Sequence, residues 1–153
     1  MRASHFKSAL AIPLVIASMT TAAQTPTGIV TLTELRNTSR PLLIFAPTPD
    51  DPQLQIQLRR LHENVAALAD RNIVVIAIPY NSPSPTSAQL TGTAAQSARR
   101  RFNIAPSDFT VILIGKDGGE KLRSPKPLTL DKLFDIIDAM PMRQQEMHPH
   151  PNP

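Results

Sequence analysis

The run Phe109-Thr-Val-Ile-Leu-Ile-Gly-Lys-Asp-Gly-Gly-Glu-Lys-Leu-Arg-Ser124 constrains this chain more than any other stretch. From Phe109 to Ile114 every side chain is apolar or β-branched, the pattern of a strand buried on both faces. Lys116-Asp-Gly-Gly119 follows, and its glycines supply the positive φ that a tight hairpin turn needs. Glu120 to Arg123 reads as a short return strand. Thr129 then caps a final helix with Leu130, Leu133, Phe134 and Ile137 on one face, and Pro141 stops it.

The residues upstream supply the partners for that hairpin. Leu32 and Leu35, with Glu34 and Arg36, predict a short helical turn. Pro41-Leu-Leu-Ile-Phe-Ala46 is a second continuously apolar run, a central strand with proline at its first position, where a missing N–H costs little. Asp51 is a natural N-cap with Pro52 behind it at the first helical position. One helix is expected to follow, carrying Leu54, Leu58, Leu61, Val65 and Leu68 on a single stripe, with Ile56 on the far side. Asn72 to Ile78 is a third apolar strand. Residues 79–92, rich in Pro, Ser and Thr, predict a long mobile loop. Thr93 and Gln96 have capping-box spacing before a helix ending near Phe102, with Arg99-Arg100-Arg101 in its last turn as a solvated helix end or, alternatively, a contact for an anionic surface. The order β-α-β-α-β-β-α over residues 41–140 requires a parallel pair joined by a right-handed crossover, plus an antiparallel hairpin. The expected fold class is therefore α/β, a three-layer sandwich with a mixed central sheet and helices on both faces.

The start of the chain reads as a processing segment. Arg2 and Lys7 precede the apolar run Ala9–Met19, and Thr21-Ala22-Ala23 offers small residues before Gln24. This is a secretory signal pattern over residues 1–23, too short to span a membrane, so no transmembrane anchor is expected after its removal. Residues 1–23 hold two basic residues and no acids, so their removal lowers the net charge from +4 to +2. That charge, with only Phe and one Tyr as aromatics, makes no case for nucleic-acid binding. The sequence has no cysteine. Disulfides, thiol nucleophiles, CxxC redox pairs and thiolate metal sites are thereby excluded, and stability must come from an apolar core.

The strand order, together with Phe109 to Gly119, resembles the thioredoxin-like superfamily. More closely, the chain is similar to the bacterial thioredoxin-like family catalogued as domain of unknown function 4174. The blocks that carry this likeness are Arg40-Pro-Leu-Leu-Ile-Phe-Ala-Pro47, Asp70-Arg71-Asn72, Arg101-Phe102, Phe109 to Arg123, and Ile137-Asp-Ala-Met-Pro-Met-Arg-Gln-Gln-Glu-Met147. Related domains occur in vertebrate secreted matrix proteins. The resemblance implies an exported thioredoxin-like domain with no assigned activity. The chain departs from redox thioredoxins at both key points. Pro47-Thr-Pro-Asp-Asp51 stands where CxxC would be. If Thr110 aligns with the threonine after the family's cis-proline, Phe109 occupies the cis-proline position. Dithiol exchange is chemically excluded, since no other side chain forms the mixed disulfide.

Ligands of α/β sheets bind beyond the carboxyl ends of the parallel strands. That pole is expected to gather Thr48, Asp50, Asp51, Tyr80 and Asn81, with Asp108 and Phe109 entering from a neighbouring loop by analogy with thioredoxins. Asp50, Asp51 and Asp108 are the right chemistry for a hard cation or for acid–base work. Capping and turn roles explain them more simply, so no metal, cofactor or catalytic residue is assigned. Met140 to Met147 either folds back, with Arg143 and Glu146 pairing at i, i+3, or offers an adaptable partner surface. His148 and His150 are weak metal ligands in a Pro-rich tail. The expected organisation is a signal peptide at 1–23, a domain at 29–142 and a tail at 143–153. The expected role is a periplasmic or secreted binding or structural module of the cell envelope with a protein partner. The alternative is a non-thiol enzyme or metal-binding protein that uses the pole's carboxylates.

Overall fold

The structure is a computed structural model and describes residues 26–148. The expected signal peptide and His150 lie outside the described residues. The chain begins with strand β1 (Gly28–Ile29) and helix α1 (Leu32–Leu35). Thr31 and Glu34 form a reciprocal capping box, each side chain bonded to the other's backbone N–H. Strand β2 (Arg40–Ala46) is buried along its whole length. Helices α2 (Pro52–His62) and α3 (Val65–Asp70) follow, then strand β3 (Ile73–Pro79). Strand β4 (Ala88–Gln89), helix α4 (Gly92–Phe102), the hairpin strands β5 (Thr110–Ile114) and β6 (Glu120–Ser124), and helices α5 (Leu130–Asp138) and α6 (Pro141–Met147) complete the order.

The main sheet has the order β3-β2-β5-β6. β2 and β3 run parallel, and the other two pairings are antiparallel. The β2–β5 ladder starts at Leu42, so Pro41 lies just outside it and its missing N–H breaks no bond. Gly118 takes φ +82° in the β5–β6 turn, which only glycine adopts without strain.

Alternation along the strands sorts the core into two layers. Leu42, Ile44, Val111 and Leu113 face α2, α3 and α5, meeting Leu54, Leu61, Leu68, Leu133 and Ile137. Leu43, Phe45, Ile76 and Ile112 face the other way and meet Leu35, Ala98 and Phe102 of α1 and α4. The mixed sheet is thus covered on both faces, as expected.

Five local expectations are corrected. The single helix after Pro52 is two helices. The Asn64 side chain donates to the Arg60 carbonyl at 3.1 Å and its backbone leaves helical geometry, a side-chain bond that competes with helix continuation. The break turns Val65 outward, where it is 55% exposed. The cap of α4 is Thr91, whose hydroxyl accepts from the Ala94 N–H, and not Thr93. Thr129 holds the N-cap position of α5 but makes no side-chain cap bond. Pro141 does not merely end α5. It opens α6 at the first helical position, where proline's fixed φ suits a helix start.

Residues 79–92 are tied to the sheet rather than forming a free loop. The segment contains β4, which pairs parallel with β1. The Thr86 hydroxyl accepts from the Ala77 N–H at 3.0 Å and donates to the Ala88 carbonyl at 2.9 Å. The Ser84 hydroxyl contacts it at 2.8 Å. Thr86 therefore satisfies an outward-facing donor of the edge strand β3 and ties the loop to the sheet.

Candidate functional site

β2 and β3 end side by side at Ala46 and Pro79, and the polar residues beyond them divide into two groups. Thr48, Asp50 and Asp51 form the turn into α2. Asp51 Oδ1 accepts from the Gln53 and Leu54 N–H groups at 2.9 and 3.1 Å and so serves as the N-cap of α2. Thr48 and Asp50 are exposed. Asp108 accepts from the Ala105 N–H at 3.1 Å and closes a turn. Phe109 is 6% exposed and packs into the α2–α5 core, so it presents no surface to a ligand. Among the described residues no three His, Cys, Asp or Glu side chains come together in a cluster fit for a metal ion. Asp50, Asp51 and Asp108 therefore do not converge.

Tyr80 and Asn81 do converge with Asp108, around a residue expected on the surface. Arg99 is 6% exposed. One terminal nitrogen, Nη2, donates to the Ala46 carbonyl at 2.6 Å and the Ile78 carbonyl at 2.8 Å. Nη1 donates to the Ala105 carbonyl at 3.0 Å. The Tyr80 N–H shares the Ala46 carbonyl at 3.0 Å. The guanidinium lies 5.4 Å from the Phe45 ring centre and 5.5 Å from that of Tyr80, within cation–π range. It thus joins the ends of β2 and β3 to the loop before β5. The Arg99 side chain could have been found in the sequence: Ala95, Ala98, Arg99 and Phe102 share one helical face, while Arg100 and Arg101 point to solvent.

No carboxylate among the described residues forms a salt bridge with Arg99. Its Nε is buried and has no hydrogen-bond partner. Burial lowers its pKa from the ordinary arginine value, opposed by the charge of Asp108 and then of Tyr80. Two open clefts flank it. One, of about 320 Å³, lies between the 80–84 loop and the start of α4. The other, of about 720 Å³, runs past Arg99 to Asn103 and Asp108.

Arg143 and Glu146 sit at the opposite pole, around the starts of β2 and β3, and they contact the domain. Glu146 bonds both terminal nitrogens of Arg40 at 3.2 and 3.1 Å and Lys116 Nζ at 2.7 Å. Arg143 bonds Asp70 and Asp138, and pairs loosely with Glu146 at 3.7 Å. Arg71 makes a two-point bond to Asp138 at 3.0 and 2.6 Å. Burial acts to raise the Asp138 and Glu146 pKa values. Hydrogen bonds and charges from Arg71 and Arg143, and from Arg40 and Lys116, outweigh it, so both carboxyls lie below their usual range. These contacts fold residues 141–147 back onto the domain.

A four-stranded mixed sheet between two helical layers, with a parallel pair ending in a polar pole, defines a thioredoxin-like protein. Solved structures share that architecture. Reduced Plasmodium vivax 2-Cys peroxiredoxin superposes with a TM-score of 0.56 at 17% identity, over 76% of this chain and 85% of that one. The thioredoxin domain of a Bacteroides vulgatus thiol-disulfide oxidoreductase gives 0.54 at 15% identity, over 76% and 93%. At such identities the likeness shows the fold alone. The chain belongs to the family described as Domain of unknown function (DUF4174), which matches residues 31–146. Coiled-coil domain-containing protein 80 of Danio rerio is 28% identical over 133 residues, 76% of this chain and 15% of that protein. Sushi repeat-containing protein SRPX2 of Homo sapiens is 26% identical over 112 residues, 71% of this chain and 24% of that protein. The chain thus matches less than a quarter of the length of these relatives. Among the described residues no helix is long and apolar enough to cross a membrane.

Proposed function

We propose that this chain is an exported thioredoxin-like binding module that holds a partner at the carboxyl pole of β2 and β3 and performs no dithiol chemistry. The observation that carries this reading is Arg99, a buried cation without a carboxylate partner, placed between two open clefts at the pole where α/β sheets receive ligands. Desolvating a charge is costly unless something compensates it. Three carbonyls and two aromatic rings compensate Arg99 in part, and its place between the clefts leaves the remainder open to a bound group. The separation of Asp50 and Asp51 from Asp108 favours binding over acid–base catalysis or metal binding by these carboxylates. The likeness to short stretches of much longer proteins is consistent with a unit that works as a module.

Export rests on the signal pattern of residues 1–23. In a bacterium the destination would be the periplasm or the medium, and the partner an envelope or extracellular protein. The test is site-specific photo-cross-linking in the native host. Probes at Tyr80 and Asn81 are expected to yield a discrete adduct that a probe at Lys132, exposed on α5, does not. Equal adducts at all three positions would remove the pole as the binding surface. Detection of the uncleaved chain in the cytoplasm alone would remove the export assignment.

A further inference from the structure

The smaller cleft has a composition that specifies its ligand more narrowly. Its walls include Tyr80, Ser84, Leu90 and Gln96, with Ile78 and Ala95 among its apolar residues, and none of its lining residues is an acid. Arg99 is its one charged lining residue. Arginine has five N–H groups, and three carbonyl bonds are formed, so one Nη1–H and the Nε–H lack a protein acceptor, and the Nε–H is itself closed off from solvent. The loop that forms the outer wall is tied to β3 through Ser84 and Thr86, so the cleft is largely preformed. The first turn of α4 adds the positive end of an eleven-residue helix.

We infer that this cleft binds a singly charged organic carboxylate, with Arg99 as its counter-ion and the apolar wall against its carbon chain. This deepens the binding reading above and rests on it. Arg99, which already feels the Asp108 charge from the neighbouring cleft, balances at most one further negative charge. A dianionic phosphate would need a second cation, which the cleft does not provide. A cavity of about 320 Å³ is at the small end of ligand pockets, so the bound group is a small acid or the free carboxyl end of a chain. Both sources present the same chemistry to Arg99.

The experiment is an amide and arginine-Nε NMR titration of the protein from Gln24 at constant ionic strength. The probes are butyrate, inorganic phosphate, chloride, and an acetylated Ala-Leu dipeptide as its free acid and as its amide. Butyrate or the free-acid dipeptide is expected to shift Ser84, Leu90, Gln96 and the Arg99 Nε signal saturably. Binding should be at least tenfold tighter than for phosphate, chloride or the amide. Whichever of the two binds tighter identifies the source. Arg99→Ala removes a buried clamp and is expected to unfold the pole, so the decisive variant is Gln96→Glu. Gln96 is exposed, lies one turn before Arg99 on α4, and as Glu would place a tethered carboxylate beside the guanidinium. It should weaken carboxylate binding at least tenfold while Gln96→Met keeps it. Carboxylates that bind no better than chloride, or a Gln96→Glu variant that binds as wild type, would overturn the inference. If either occurs while cross-links at Tyr80 and Asn81 remain specific, only the carboxylate assignment falls. If those cross-links are also lost, the binding role falls with it.

Discussion

Arg40 and Arg99 are both buried guanidiniums, and they differ in what balances them. Arg40 is 1% exposed and meets the Glu146 carboxylate through two bonds. Arg99 meets only carbonyls and ring faces. Removing Glu146 would leave a charge in the interior with its partner gone, the costly way to break a buried pair. Glu146→Ala is therefore expected to destabilise the domain by about 3 kcal/mol, measured by urea unfolding. A loss within about 0.5 kcal/mol of wild type would show that water and the Arg71 carbonyl suffice for Arg40. Arg99→Lys keeps the charge but loses the planar fork that reaches three carbonyls at once, and should cost roughly 2 kcal/mol. Thr86→Val strands the Ala77 N–H and should cost about 1–2 kcal/mol.

Helix α6 behaves as a latch at the scale of elements. It follows α5 after a two-residue break and grips β2, α3 and the β5–β6 turn through Arg143 and Glu146. Ending the chain at Met140 should lower the thermal midpoint by about 10 °C, since a few kcal/mol shifts a domain of this size by several degrees each. An unchanged midpoint would show α6 to be an appendage. Leu133 on α5 is fully buried in the core layer that also holds Leu42, Ile44, Val111 and Leu113. Leu133→Ala should cost about 3 kcal/mol. The same exchange at Leu130, which is only partly buried, should cost clearly less.

Ion pairs at the amino pole of the sheet make the whole molecule sensitive to acid. The Asp138 and Glu146 carboxyls are held below their usual values when folded. The unfolded chain therefore takes up protons first as pH falls, and the stability these groups contribute is complete above about pH 5. It is lost as pH drops through the ordinary carboxylate range toward the lower folded values. Urea midpoints at pH 7, 5 and 3 should fall mainly between the last two, and a Asp138→Asn, Glu146→Gln double variant should flatten that fall. Equal slopes in both proteins would assign acid sensitivity to other groups.

The layers of this fold were legible because each element carries its own signal: unbroken apolar strands at Pro41–Ala46 and Phe109–Ile114, the Asp-Gly turn, and the Leu133–Ile137 stripe. The absence of cysteine by itself excluded dithiol chemistry, since no arrangement in space can supply a missing thiol. Short-range periodicity misplaced Val65 because a single side-chain bond from Asn64 reset the helix. Arg99 lay on the buried helical face, yet its position within the Arg99–Arg101 run suggested a solvated end. What the strands' own composition could not fix was which charges are buried and by whom. Glu146 reaches Arg40 across 106 residues of chain, and Arg99 reaches Ala46 across 53. Such pairings depend on where packed elements bring chain ends together, so only the tertiary structure decided that one pole is closed by ion pairs and that the other buries a cation on carbonyls and ring faces.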